Sequence, residues 1–391
     1  MKLFALALAL SASGSALAAA PAAEASFPKP LPDEPIPVIE TLPAQWPASW
    51  VMVHDLHFGS ILDGRVMIVD TASPERPVRG MVRAAQFANM LVSSSRKEIL
   101  TSETFYSRLT RGERTDAVTI WDMGTLEPKA EILMPGGKRQ QSVTYPQLFQ
   151  FTNGGKWALV ANFTPAQSVS VLDLDARKII AEIDLPGCAQ LYPTGQRGFT
   201  SLCADGAMLS VKLGADGQAV SSKTIEGVQD IDKQPLFGTP AWVGQKAWFV
   251  SYYGQIQGFD FTGDVAKTIP GTFNVGTAEG AAPQWRPGGW QVIAADAAGK
   301  LYILMSPNGR EGSHKDGGTE VWVVDPATKT RVSRIALRAT ATAIGVTKEA
   351  TPRLIAARTD GVIDVHDVAS GAFLRTLGTA GGESPILITV P

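Results

Sequence analysis

One phrase recurs along the chain. "DAVTIWDMGTLEPKAEI" begins at Asp116, and close variants begin at Gly64 ("GRVMIVDTASPERPV"), Gln167 ("QSVSVLDLDARKIIAEI"), Thr319 ("TEVWVVDPATKTRVSRI") and Gly361 ("GVIDVHDVASGAFLRTL"). Each reads as an alternating strand, an Asp at its end, a short polar turn and a returning strand. The Asp has a local reason, because its carboxylate accepts hydrogen bonds from backbone amides two residues on and so starts the turn. Asp70, Asp122, Asp173, Asp260, Asp325 and Asp367 all take this place, and a seventh copy from Gly206 carries Lys212 there. Successive copies lie 52, 51, 39, 48, 65 and 42 residues apart. Further strand patterns fall between them, such as "KWALVANF", "KAWFVSYYG" and "KLYILMSP". Each interval therefore has room for four short antiparallel strands.

A four-stranded sheet of this size cannot bury both of its faces alone, so the units must stack. Four-stranded units of about 40 to 50 residues are the signature of propeller blades. The expected fold is all-β: a seven-bladed β-propeller of four-stranded antiparallel blades over residues 49–391. Long amphipathic helical patterns are scarce, which argues against βαβ architecture. A pair of β-sandwiches is the rival, and the even spacing favours the ring.

Two segments precede the repeats. Residues 1–18 read as a signal peptide: Lys2, an apolar run from Leu3 to Leu10, then the A-x-A pattern Ala16-Leu17-Ala18. The run is too short to span a bilayer. Cleavage would take the formal charge from −2 to −3, leaving no electrostatic case for nucleic acid. No other stretch is apolar enough to insert in a membrane, so the mature protein is expected to be exported. With an outer membrane present, export means the periplasm. Residues 19–48 form a Pro-rich arm, with eight prolines between Pro21 and Pro47. Proline fixes φ and donates no backbone hydrogen bond, so the arm reads as extended. It is a loose leader or lies along a partner, and Phe27 and Trp46 favour the second.

Export permits disulfides. The only two cysteines, Cys188 and Cys203, enclose 14 residues. They read as a structural bridge in preference to a metal or redox pair, and closing such a loop stabilises by about 3 kcal/mol. His54 and His57 flank Asp55 in "VHDLHFGSI", but strand periodicity sends the two imidazoles to opposite faces, which makes a poor metal site. His314 and His366 have no obvious partner. Arg108, Arg111 and Arg114 beside Glu113 and Asp116 read as a solvated ion-pair network between blades, with an anion or docking site as the alternative. Trp121 and Trp322 should pack between blades. Trp285 and Trp290 flank a turn in "QWRPGGWQ" and suit contact with a partner. No nucleophile elbow, phosphate loop, zinc-protease helix or haem-attachment motif is present. These residues describe a rigid exported propeller without a catalytic constellation of its own: a scaffold, a binding module, or one subunit of an enzyme.

Longer phrases carry a more specific likeness. "FYSRLTRGERTDAVTIWD", "FVSYYGQIQGFDFTGD", "QWRPGGWQ" and "YILMSPNGREGSHKDGGTEVWVVDPATKTRVSRI" resemble the heavy chain of the quinoprotein amine dehydrogenases, which comprise methylamine and aromatic amine dehydrogenases. The resemblance runs from about residue 50 to the C-terminus and includes the cysteine spacing. "FVSYYG" and "PNGREGSHK" lean towards the aromatic-amine branch. It implies a seven-bladed heavy subunit with no cofactor and no catalytic residue of its own. It also implies a light chain carrying tryptophan tryptophylquinone and the catalytic base, in an α2β2 heterotetramer. That assembly oxidises primary amines to aldehyde and ammonia and passes electrons to a blue copper protein of amicyanin or azurin type. One site residue is implied here: Phe58, in "HDLHFGSI", as an apolar gate of the substrate channel. The reading from another class is a stand-alone periplasmic propeller that binds a protein or ligand. A lone propeller hydrolase is disfavoured by the lack of convergent His and acidic motifs.

Overall fold

The strand–Asp–turn–strand phrase folds as a hairpin at each place it occurs. In the computed structural model, which describes Lys29, Leu31, Pro32, 40–278 and 280–391, Arg111–Asp122 returns antiparallel as Pro128–Met134. Asp122 Oδ1 accepts the amides of Gly124 at 2.8 Å and Thr125 at 3.0 Å. Asp70, Asp173, Asp260 and Asp325 likewise accept the amide two residues on, at 2.8–3.0 Å. Asp367 accepts that of Ser370, three on. The signal-peptide reading and most of the arm before residue 40 lie outside the described residues.

The described residues are all-β, with 28 strands and four single-turn 3-10 helices. Residues 40–391 form one compact unit, a β-propeller of four-stranded antiparallel sheets. Four such sheets are meanders over residues 89–134, 149–184, 188–225 and 241–274. A fifth combines Trp50–Asp55, Arg65–Asp70 and Val78–Arg83 with the last strand of the chain, Pro385–Thr389. An eight-stranded sheet spans 286–376. It is continuous because Thr330–Val346 is 17 residues long: residues 330–336 pair mainly with Gly318–Asp325, and residues 341–346 pair with Arg353–Arg358.

The first strands of neighbouring sheets converge. Asn89–Ser93 lies against Phe149–Thr152, and that strand lies against Cys188–Pro193. Ala241–Val243 meets Ile293–Ala295, which meets Thr330–Val346, which meets Pro385–Thr389. The last strands face outward, as the exposed Ala219–Ile225 illustrates. Between sheets the side chains are apolar and buried, for example Leu159, Val171, Phe199 and Val211 in one cluster. Burying such side chains contributes about 1.5–3 kcal/mol each, and that packing holds the sheets together.

The chain closes on itself through Pro385–Thr389, paired antiparallel with Trp50–Asp55. A buried carboxamide secures this strand. Gln291 Oε1 accepts the Ile388 amide at 2.9 Å, while its Nε2 donates to the carbonyls of Ile388 at 2.8 Å and Ile344 at 3.0 Å. The side chain thus pairs as a peptide group would, between two sheets.

Trp322 is buried in the core as expected, and Trp121 is half-buried against the cluster of Trp50 and Met52. Trp285 departs from the expectation of a partner-facing turn. It is buried against Trp322, ring centroids 5.3 Å apart, and the Arg334 guanidinium lies 4.9 Å from its ring centre. Of the three arginines read as an ion-pair network, only Arg114 is drawn in. It pairs with the buried Asp116 at 2.9 Å and donates to the Arg139 carbonyl at 2.8 Å. Arg108 and Arg111 flank the exposed tip of a long hairpin.

Candidate functional site

The sheets have two different ends. Trp50–Asp55 and Arg65–Asp70 pair with Trp50 opposite Asp70 and Asp55 opposite Arg65. Asp70 and the other strand-end aspartates therefore lie at one end, and the segment after Asp55, with Phe58, lies at the other. The same pairing logic puts Phe163, Ile231, Tyr252 and His314 at the Phe58 end. Within residues 40–391 the exposed large apolar side chains that sit in loops, Phe58, Leu109, Phe163 and Ile231, are 43–78% exposed, and all belong to this end. Among the described residues, no Asp-end turn carries one. This distribution makes the Phe58 end the candidate contact face.

Phe58 is 49% exposed and sits 6.4 Å from the Trp290 ring, centroid to centroid. Leu56, Phe87, Ile386 and Leu387 pack around Trp290 beneath them. Beside the two rings is a shallow cavity of about 140 Å³, completed by Thr342, Thr359, Ser384, Pro385 and Ile386. Its lining holds no carboxylate, imidazole or amine. Trp290 continues into a second cavity of about 70 Å³ with Tyr145, Phe237, Tyr252 and His314. Tyr252 and His314 then border a third, of about 350 Å³, with Arg286 and Arg310. An aromatic band thus crosses this end of the propeller. Chemically it can exclude water, select by size and orient an apolar group.

The histidines resolve individually. His54 lies inside Trp50–Asp55, fully buried, and burial lowers its pKa to about 4. His57 lies beyond that strand with φ 53°, and its Nε2 meets the Glu383 carboxylate. His314, without a visible partner in the sequence, stacks on Tyr252 with centroids 4.1 Å apart and planes 11° from parallel. Burial, and then the charge of Lys315, hold its pKa below the ordinary value. His366 packs edge-on to Phe373 at 5.6 Å. Among the described residues, no group of three or more His, Cys, Asp or Glu is placed to hold a metal ion. Cys188 and Cys203 are disulfide-bonded, directly opposite each other in register, at the Phe58 end of their sheet.

A cavity of about 570 Å³ lies at the Asp end between arm residues 44–48, Trp50, Met123 and Lys348. It is remote from Phe58. The loop 382–384, which the sequence reading passed over, belongs to the Phe58 site: Ser384 Oγ accepts the Phe58 amide at 3.3 Å. The local run "AGGES" carries no signal of that pairing, because the partner is 326 residues away.

The fold and this end of it define a class, the large propeller subunits with an aromatic contact face. The family profile described as "Methylamine dehydrogenase heavy chain" matches residues 48–391, and the chain belongs to that family. The methylamine dehydrogenase heavy chain of Methylorubrum extorquens is 29% identical over 362 residues, covering 91% of this chain and 86% of that one. That of Paracoccus versutus is 28% identical, covering 90% and 82%. Among solved structures, a functionally unknown protein from Desulfotomaculum acetoxidans superposes with a TM-score of 0.58 at 13% identity, covering 88% of this chain and 99% of its own, a likeness of fold.

Proposed function

We propose that this chain is the heavy subunit of a periplasmic amine dehydrogenase that oxidises primary amines, methylamine or aromatic, to aldehyde and ammonia. Its domains in this reading are a signal peptide (1–18), a Pro-rich arm (19–48) and a seven-bladed propeller (49–391). The count of seven follows if the eight-stranded sheet is divided at the middle of Thr330–Val346 and added to the five separate sheets. A light chain docks on the Phe58 end to form an α2β2 heterotetramer, and a blue copper protein of amicyanin or azurin type takes the electrons. The light chain's tryptophan tryptophylquinone supplies the oxidising power.

The observation that carries this reading is an apolar mouth, built on Phe58 and Trp290, whose lining has no acid or base. Such a mouth is suited to wall a reaction whose chemical groups come from elsewhere. Phe58 narrows the channel, keeps water from the reacting centre and discriminates amines by the space they need. Discrimination by an apolar wall is worth about 1–3 kcal/mol per methylene-sized difference.

The test is purification from native periplasm. A small Cys-rich polypeptide should travel with this chain, and the pair should show quinone absorbance and oxidise amines, while the isolated chain does neither. A monomer without a small subunit would favour a stand-alone binding module. Amine turnover by the isolated chain would overturn the assignment. In the assembled enzyme, Phe58→Ala should change the ratio of kcat/KM between short and aromatic amines. An unchanged ratio would remove the gate.

A further inference from the structure

The segment "VHDLHF", a poor metal site by strand periodicity, is arranged around Asp55. This carboxylate is wholly buried at the end of Trp50–Asp55. Its Oδ1 accepts the amides of His57 at 3.0 Å and Ser384 at 2.8 Å, and its Oδ2 accepts that of Glu383 at 3.0 Å. Arg65 Nε lies 3.3 Å from Oδ2 and offsets the charge. Both loops that meet at Phe58 are therefore tied to one side chain. Further bonds complete the junction: the Leu56 amide donates to the Ser384 carbonyl at 3.1 Å, the Phe58 amide donates to Ser384 Oγ, and His57 meets Glu383. The strained φ of His57 is held in place by these bonds. Gly382 has φ 84°, and a Cβ there would collide with the Asp55 carboxylate, so the loop approaches as closely as a glycine allows.

The geometry points to Asp55 as the positioning residue of the Phe58 gate: it fixes the ring over its cavity by binding the loop before Phe58 to the loop after Gly382. The inference rests on the gate reading of Phe58. An aspartate is required because all three donors are N–H groups. In Asp55→Asn, either orientation of the amide turns an NH2 toward at least one of them, and Arg65 keeps only the more distant Asp63 as counter-charge. A buried donor left facing a donor is among the costlier faults a core can carry. Loosening the clamp frees the ring without removing it, so selectivity should fall before catalysis of a small amine does.

The test uses two readouts. In the heavy chain alone, Asp55→Asn should speed hydrogen exchange at the amides of His57, Glu383 and Ser384 by about tenfold or more, with residues 122–125 unchanged. In the enzyme assembled with its light chain, Asp55→Asn should move the kcat/KM ratio between short and aromatic amines in the same direction as Phe58→Ala. The double variant should add nothing to Phe58→Ala alone. Unchanged exchange at the three amides overturns the clamp. Faster exchange with an unchanged ratio, while Phe58→Ala shifts it, overturns the positioning role. If Phe58→Ala shifts nothing, the gate reading fails, and the exchange data still decide whether Asp55 holds the loops. Ser384→Ala covers the case in which Asp55→Asn does not fold: it removes the side-chain acceptor of the Phe58 amide, along with one hydroxyl of the cavity lining, and should shift the ratio less, in the same direction. No shift there, with a shift in Phe58→Ala, counts against the junction.

Discussion

The two ends of the propeller are built by different rules. At the Asp end six of the seven repeated turns are closed by the strand-end carboxylate and amides two or three residues away. At the Phe58 end the contacts that shape the site are long-range: Asp55 with Ser384 and Tyr252 with His314. Local, repeated structure tolerates drift because each turn closes itself, even where a distant arginine adds to it, as Arg375 does at Thr71 and Ala72. Long-range structure holds a particular shape, and a surface that must fit a partner needs one.

The contrast makes unequal predictions. The largest concerns acid. His54 is buried with its pKa lowered from 6.5 to about 4, so the unfolded chain takes up its proton first. The stability it protects is complete above pH 6.5 and is lost as pH falls from 6.5 towards 4, by about 3 kcal/mol in all. The Asp-end carboxylates behave differently. Backbone amides of Thr125 and Gly124 hold the pKa of Asp122 below its ordinary value, and the Thr262 hydroxyl and amide do the same for Asp260. Their contribution is present above the ordinary pKa of 3.8 and is lost as pH falls through the lowered values. Urea unfolding followed against pH should thus show an early loss that His54→Leu removes and a later one that it leaves alone. A single late loss in the parent protein would contradict this.

Gln291→Ala comes next. It strips the Ile388 amide of its acceptor and unlatches the closing strand, and should cost about 2 kcal/mol in the urea midpoint. Asp122→Ala removes one half-exposed turn and should cost at most about 1 kcal/mol, with no change in amine selectivity. Phe58→Ala should be the mildest for folding, within about 0.5 kcal/mol, because the ring is half in solvent, yet it should change selectivity. A large loss of stability there would recast Phe58 as core.

The Asp end was legible in the sequence because its information is local. An Asp after an alternating strand names its own hydrogen-bond partners. The four-strand pattern was legible for the same reason. What could not be read is where distant segments meet. Nothing near Asp55 announces residues 383–384, and His314 gains its partner only when the sheets close. The sequence misplaces Trp285 because the Pro-Gly-Gly turn beside it suggests exposure, whereas Trp322 and Arg334 of the sheet it leads into cover it. Phe58 emerged from resemblance and not from periodicity, which is silent about a side chain just past the end of a strand.

The most direct measurement is hydrogen exchange of this chain with and without the proposed light chain. Amides at 56–60, 288–290 and 382–386 should slow when the partner binds, and those at 122–125, 173–176 and 325–327 should not. Protection confined to the Asp end, or spread over neither, would contradict the claim that the propeller lends its aromatic end to another chain's chemistry.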